Sequence, residues 1–144
     1  GNCKMQPYFA EVLCNADVDA FIFDAFSNPD AKMIEERLFP FIEKLQTTHP
    51  DIPLIFQKTI RRERRNFDLQ HDEYEQAKMD MAEKLMKEAC KKYKNVYYVD
   101  TTNATSYDNN AQVDGVHPDN YGYSLWAKSI EKPVLKILKK YGIK

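Results

Sequence analysis

The sequence lacks long apolar runs, and its uninterrupted apolar stretches are short segments such as Phe21–Phe23. A membrane-crossing helix needs roughly 20 apolar residues, so the sequence predicts no membrane span. Net charge is also nearly absent, because 21 lysines and arginines face 22 aspartates and glutamates, which leaves −1. A chain this close to neutral has no bulk electrostatic reason to bind nucleic acid or an anionic membrane.

Cysteines are few, and an initiator methionine is missing. Cys3, Cys14 and Cys90 show none of the close spacings, such as C-x-x-C, that indicate a metal site. A Cys3–Cys14 disulfide stays open, because spacing alone cannot decide it. The chain begins at Gly1 with no signal-peptide pattern, so we expect it to start within a longer protein, after processing or after an expression tag. Its 144 residues predict one domain, over residues 1–144.

What the sequence does contain is a regular alternation of helix and strand patterns. Short runs that are apolar in their centre predict buried parallel strands over residues 17–26, 53–58 and 96–100. Apolar residues at helical spacing predict helices over residues 4–14, from about 29 to 48, 70–93, and from about 120 onward with an interruption at Pro133. This order predicts an α/β fold with a parallel sheet. Three strands are few for four helices, so we expect N-terminal strands to be missing.

The apolar faces of two helices predict which of their sides are buried. These predicted faces are Phe9, Val12 and Leu13 in the first helix and Ala77, Met81, Leu85 and Ala89 in the third.

Ligands bind beyond the carboxyl ends of parallel strands, and the loop after the third strand contains the most informative residues. Asp114 precedes His117 by three residues. Such a carboxylate can accept from the imidazole Nδ1–H and leave Nε2 free as a general base. The spacing also fits a capped turn before the last helix. A metal site is disfavoured, because neither His49 nor His71 has ligand spacing to His117.

Two further polar groups follow the first and second strands. Asn28 can cap the next helix, or it can point its side-chain amide at a developing oxyanion. Four arginines, Arg61, Arg62, Arg64 and Arg65, can bind an anionic substrate at the rim of a site, or they can form a solvated loop paired with neighbouring acids.

Taken together, these segments resemble the SGNH (GDSL-like) hydrolases, a family of serine esterases and lipases. Asp114–Pro118, followed by Asn120–Tyr123, is similar to the last motif block of that family. Phe21–Asp24 runs into Asn28 as in the third block, and Gly1 stands where the second block has its glycine. The resemblance spans essentially the whole chain. It implies a flavodoxin-like three-layer α/β/α fold with a parallel sheet, truncated here at its N-terminus.

The resemblance also implies roles. Asp114 would orient His117, which would be the general base, while Asn28 and the backbone N–H of Gly1 would donate to the oxyanion. The substrate would be an acyl or acetyl ester, for instance on a carbohydrate, and no metal or organic cofactor is implied. Similarity of residues 37–56 to extracytoplasmic carbohydrate esterases favours a periplasmic or secreted location.

The family's nucleophilic serine belongs to a first block that this chain does not contain. We therefore expect that serine upstream of Gly1, with Ser27 and Cys3 as alternative nucleophiles. The competing hypothesis is a catalytically incomplete fragment that acts as a binding or interaction module. Missing strands would expose the edge of residues 18–26, so we also expect a homodimer formed through that edge.

Overall fold

Three parallel strands form one sheet in the order β1-β2-β3 in the computed structural model, which describes residues 2–143. In register, Phe21 of β1 pairs with Leu54 of β2, and Leu54 pairs with Val96 of β3. The elements in chain order are α1 (Pro7–Cys14), β1 (Phe21–Phe23), α2 (Ala31–Thr48), β2 (Leu54–Gln57), a 3₁₀ helix (Glu63–Asn66), α3 (Leu69–Lys92), β3 (Val96–Val99) and α4 (Asn120–Lys140).

Alternation along β2 divides the core into two layers. Leu54 and Phe56 join the larger cluster, which contains the buried faces of α1, α2 and α3, whereas Ile55 lies on the opposite face with Val99 and α4. Both faces of the sheet are therefore covered, which is why all four residues of β2 are buried. The predicted α/β fold is confirmed, with α1, α2 and α3 on one face of the sheet and α4 on the other.

Three details of the prediction are wrong. The strand predicted over residues 17–26 is only Phe21–Phe23, because charged residues flank it and β2 pairs with those three residues alone. In α1 the buried residue is Ala10. Of the predicted face, Leu13 is half-buried against the core as predicted, while the side chains of Phe9 and Val12 are exposed and line a groove beside β1. The last helix continues through Pro133, since a proline removes only one backbone donor and Val134 and Ile137 pack on the sheet.

The buried stripe of α3 also differs from its predicted face. Leu85 and Ala89 are buried as predicted, but Ala77 is exposed. The residues that continue the stripe toward the N-terminus are Glu75 and Lys78, which are 2% and 1% exposed. The buried stripe therefore ends in a charged pair, at two positions that the predicted face does not include.

Two further findings concern the cysteines and the apolar length of the helices. Cys3, Cys14 and Cys90 are all free thiols. Within residues 2–143, no helix is long and apolar enough to cross a membrane.

Candidate active site

Segments that follow the three strands, together with the start of α4 and one N-terminal residue, line a pocket of about 390 Å³. It lies at the carboxyl edge of the sheet, where parallel α/β folds bind ligands. The lining residues are Cys3, Asp24, Ser27, Asn28, Ile60, Arg62, Val116, His117, Pro118, Tyr123 and Trp126. His117 and Asn28 are thus brought to one pocket although 89 positions separate them in the chain.

Asp114 and His117 form a hydrogen-bonded pair. Oδ2 of Asp114 lies 2.8 Å from Nδ1 of His117, and Oδ1 accepts the backbone N–H groups of His117 at 2.8 Å and Val116 at 3.0 Å. These bonds, led by the one from the His117 backbone, hold the pKa of Asp114 well below its usual range. A carboxylate only accepts, so Nδ1 carries a proton, and in the neutral imidazole Nε2 presents a lone pair. One carboxylate therefore both caps the turn and bonds the imidazole, so the two predicted alternatives share one geometry.

Glu63 and Arg64, which follow β2, make hydrogen bonds to the loop that contains this pair. The buried carboxylate of Glu63 accepts the N–H of Ala111 at 2.9 Å, and the Glu63 N–H donates to the Gln112 side chain at 3.0 Å. The N–H of Arg64 donates to the carbonyl of Gly115 at 2.8 Å. Because these partners are internal to the protein, the loop has a defined position although it lacks regular secondary structure.

Two glycines permit close backbone contacts in this region. Gly115 has a φ of 75°, and a Cβ there would lie 3.1 Å from the Arg64 backbone nitrogen. Gly122, in the first turn of α4, lies so close to the loop that a Cβ would come within 2.1 Å of the Ala111 carbonyl oxygen. That carbonyl cannot easily turn away, because it accepts the N–H of Asp119 at 3.1 Å.

We expect Gly122→Ala to lower the free energy of unfolding by about 1–3 kcal/mol, as overpacking does. Alanine favours a helix interior by about 1 kcal/mol over glycine, but the clash with a fixed carbonyl outweighs that gain. Urea titration followed by circular dichroism measures the change. The control is Lys128→Ala at an exposed position of the same helix, with an effect within about 0.5 kcal/mol. Equal stability of the two variants would contradict the close contact at Gly122.

Asn28 is not the cap of α2. Asp30 is the N-cap, and its side chain accepts the N–H of Met33 at 2.7 Å. Within residues 2–143, the Asn28 side chain makes no hydrogen bond, so its amide is available to a ligand in the pocket. The neighbouring Ser27 hydroxyl donates to Asp24 at 2.5 Å and lies 3.3 Å from the Thr59 hydroxyl, so it is not bonded to His117.

The N-terminal predictions are only partly described. Gly1, the predicted second oxyanion donor, lies outside the described residues. Cys3 lines the same pocket as His117. The roles predicted for both residues stay predictions.

The four arginines of the predicted rim line three different cavities. Arg62 lines the pocket. Arg61 and Arg65 line a separate cavity of about 210 Å³, and Arg64 lines a third of about 270 Å³. Arg65 pairs with Asp72, and Arg64 pairs with Asp68 at 3.1 Å. Of the predicted rim, the structure brings only Arg62 to the pocket that contains His117.

An aromatic pair forms one wall of the pocket. The rings of Tyr123 and Trp126 are nearly parallel, at an interplanar angle of 5° and a centroid distance of 6.1 Å. Nε1 of Trp126 donates to Oε1 of Gln57 at the end of β2, at 2.8 Å, which fixes the indole ring. Tyr123 is 57% exposed, so its ring is accessible to a ligand.

Sequence reasoning missed Glu75 and Lys78, which lie beneath the pocket. Glu75 bonds Lys78 at 2.7 Å and pairs with Arg62 at 3.3 Å, while Lys78 donates to the carbonyl of Ser27 at 3.3 Å. Desolvation by burial lowers the pKa of Lys78. Extending the Leu85 and Ala89 stripe by helical spacing would have found both residues.

The chain is similar to a known family of proteins and to several solved structures. The model of the GDSL-like Lipase/Acylhydrolase family matches residues 1–136. A crystal structure of a Bacteroides ovatus protein, described as a GDSL-like lipase, is 34% identical, with a TM-score of 0.90 over 94% of this chain. The chain spans only 41% of that protein's length.

Two more distant structures share the fold. A carbohydrate esterase family 3 protein from Talaromyces cellulolyticus is 17% identical, with a TM-score of 0.68 over 94% of this chain and 66% of its own. The salicylyl-acyltransferase SsfX3 from a tetracycline biosynthetic pathway is also 17% identical, with a TM-score of 0.61 over 93% of this chain and 42% of its own. No curated protein matches the sequence. On the family match and the 34% identical structure, the chain belongs to the GDSL-like lipase/acylhydrolase family.

Proposed function

We propose that this chain supplies the acid–base and oxyanion-binding residues of an ester hydrolase whose nucleophilic serine lies upstream of residue 1. The observation that carries the proposal is that the imidazole of His117, held by Asp114 at 2.8 Å, lines the same pocket as Asn28, whose amide makes no hydrogen bond within residues 2–143. Family membership gives hydrolysis as the reaction class. The relatives named as a lipase and a carbohydrate esterase favour an ester as the bond cleaved.

In the proposed mechanism, Nε2 of His117 removes the proton from the serine hydroxyl as the oxygen attacks the ester carbonyl. The carbonyl oxygen gains negative charge, which the amide of Asn28 stabilises. A donor of this kind contributes roughly 3–4 kcal/mol to the transition state. His117 then protonates the leaving alcohol, and a water molecule activated in the same way releases the acid. Asp114 stays ionised throughout and faces the imidazolium as it forms.

The carbohydrate ester is the substrate class we favour. The pocket that contains His117 has an aromatic wall, Tyr123 and Trp126. Flat aromatic faces pack against the apolar C–H face of a sugar ring, and the polar groups beside them can bind its hydroxyls.

A fluorophosphonate probe, which reacts covalently with activated serines, tests this proposal. We expect the 144-residue chain to remain unlabelled and to show no burst with p-nitrophenyl acetate, because none of its serines bonds to His117 within residues 2–143. We expect the protein extended upstream through a Gly-x-Ser turn to be labelled stoichiometrically at that serine. Stoichiometric labelling of the chain itself would overturn the proposal and point to Ser27.

An interaction module is the second candidate function, and an exposed apolar surface favours it. The outer edge of β1 has no partner among the described strands, and Ile22 is 47% exposed. Beside it, the exposed Tyr8, Phe9 and Val12 line a groove of about 570 Å³. Unpaired strand edges and apolar patches of this kind bind other chains.

We therefore expect the isolated chain to be a dimer by light scattering coupled to size-exclusion chromatography. Ile22→Lys should make it monomeric, because a charge at the centre of the edge opposes association. Leu135→Lys, a substitution of an exposed leucine on α4, is the control and should leave the dimer intact. A monodisperse monomer of the unsubstituted chain would contradict this prediction.

A further inference from the structure

The two halves of the candidate active site are joined by one side chain. Within residues 2–143, no direct hydrogen bond links the segment containing Asn28 to the loop containing His117. The guanidinium of Arg62 binds both, because Nη2 donates to the carbonyl of Ser27 at 2.6 Å and Nη1 donates to the carbonyl of Val116 at 3.2 Å. We call this pair of bonds the Arg62 bridge.

The two carbonyls that Arg62 binds are directly bonded, through their peptide units, to the two proposed functional residues. Each belongs to the residue just before a proposed functional residue: Ser27 precedes Asn28, and Val116 precedes His117. A peptide unit is planar, so fixing a carbonyl also fixes the N–H and Cα of the next residue. The peptide unit that begins with the Val116 carbonyl contains the N–H of His117. This N–H donates to Asp114 at 2.8 Å. The Arg62 bridge therefore acts on the backbone from which both side chains project.

Arg62 itself is held from beneath by α3. Its Nε lies 3.3 Å from Oε2 of Glu75, and its side chain is only 11% exposed. Glu75 is bonded in turn to Lys78 at 2.7 Å, and Nζ of Lys78 lies 3.3 Å from the same Ser27 carbonyl. Both residues are buried in a helix of 24 residues, which gives the bridge a rigid support.

The geometry suits arginine in particular. Its planar fork directs several N–H groups in fixed directions, so Nη1 and Nη2 of one side chain bind two carbonyls while the guanidinium charge lies beside the Glu75 carboxylate. A lysine has one nitrogen on a flexible stem and cannot span the same partners. The buried charges of Glu75 and Lys78 lie on the face of α3 that packs beneath Arg62.

From these contacts we propose that Arg62 is a positioning residue that sets the placement of the Asn28 amide relative to the imidazole of His117. It touches the peptide units that precede both residues and does not need to touch the substrate. The proposal deepens the proposed function and rests on it for its consequence in catalysis. A displacement of about 1 Å between reacting groups can cost on the order of 100-fold in rate.

Nuclear magnetic resonance of the 144-residue chain tests the geometry without any reference to activity. We expect Arg62→Ala to shift both the side-chain amide signals of Asn28 and the ring signals of His117. Glu75 retains Lys78 as a partner in this variant, so we expect the chain to fold, with the melting temperature as a check. The matched control is Arg64→Ala, because Arg64 is exposed, pairs with Asp68 and leaves its backbone bond to Gly115 intact. It should move neither set of signals.

Chemical rescue separates positioning from a general loss of packing. Guanidinium ion at millimolar, non-denaturing concentration should occupy the space left in Arg62→Ala and return both sets of signals toward those of the unsubstituted chain. Sodium chloride at the same ionic strength should not. If Arg62→Ala does not fold, Arg62→Lys takes its place, and we expect it to disturb both sets of signals while keeping the charge. Unchanged signals in a folded Arg62 variant would overturn the proposal.

Kinetics of a form of the protein that hydrolyses esters gives the catalytic readout. We expect Arg62→Ala to lower kcat by about 100-fold with little change in KM, and guanidinium to restore much of it. Full kcat in a folded Arg62→Ala enzyme would overturn the positioning role while leaving the proposed function intact. Shifted and rescued signals in a protein that never hydrolyses esters would support the bridge and overturn the proposed function instead.

Discussion

Replacing His117 by alanine should lower kcat by about 10⁶-fold in an active form of the protein that contains the serine. The reason is that Nε2 of His117 is the base in the proposed mechanism. Its lone pair is free because the hydrogen bond to Asp114, at 2.8 Å, is made by the other ring nitrogen, Nδ1. Without His117, the proposed mechanism has lost its base. Initial rates with p-nitrophenyl acetate measure the loss.

Asp114→Asn is the sharper companion to this experiment, with an expected loss of about 10⁴-fold in kcat. The amide oxygen can still accept the backbone N–H groups of Val116 and His117, so the turn is preserved. The new NH₂ group, however, faces Nδ1 as a donor and forces the proton onto Nε2, which can then no longer act as a base.

The control for both variants is His49→Gln. His49 lies at the end of α2, where Nε2 is 3.1 Å from the carbonyl of Leu13, outside the pocket that contains His117. It should retain the full rate. An Asp114→Asn enzyme with an unchanged rate would show that the carboxylate caps a turn and does nothing more.

The largest effect on stability is expected at Glu75. Glu75→Ala should lower the free energy of unfolding by about 3–5 kcal/mol, because it leaves Lys78 and Arg62 as buried cations without their carboxylate. The midpoint of urea unfolding measures this, at an unchanged slope if the transition stays two-state. The matched control is Glu88→Ala at an exposed position of the same helix, with an effect within about 0.5 kcal/mol.

A second variant separates charge from packing. If Lys78 is replaced by leucine together with Glu75→Leu, much of the stability should return, because apolar groups fill the space and one of the two cations is gone. A single Glu75→Ala variant as stable as the Glu88→Ala control would contradict the buried cluster.

The loss at Glu75 should also depend on pH. Burial lowers the pKa of Lys78 in the folded chain, and removing Glu75 takes away a contact that raises it. Between the lowered pKa of folded Lys78 and the ordinary lysine pKa, the unfolded chain then holds more protons than the folded one. Under that condition stability rises with pH, so the deficit of Glu75→Ala should shrink between neutral and alkaline pH as Lys78 loses its proton.

Prediction from the sequence succeeded where the interactions are local or strongly patterned. The run over residues 53–58 is apolar on both sides, which specifies a buried strand, and β2 lies at Leu54–Gln57. The Asp114–His117 pair could be predicted because three residues separate its members and a turn brings them together. The spacing alone could not separate a capped turn from a carboxylate bonded to the imidazole, because Asp114 makes both kinds of hydrogen bond.

Prediction failed where the partners are distant in the chain. Arg62 was interpreted as one of four similar arginines, and nothing in its neighbours singles it out. Its carbonyl partners are 35 and 54 residues away, and its carboxylate is on another helix. Likewise, the exposure of Phe9 and Val12 depends on which side of α1 packs against α2, which helical spacing does not determine.

The indole of Trp126 has a practical consequence for ligand discovery. This is the single tryptophan of the chain, and its ring forms part of the pocket wall, with Nε1 bonded to Gln57 at 2.8 Å. Fluorescence excited selectively in tryptophan therefore reports on the pocket wall alone. A compound that enters the pocket should change the emission wavelength or be detected by quenching, so candidate sugars and esters can be ranked by titration without a label and without turnover.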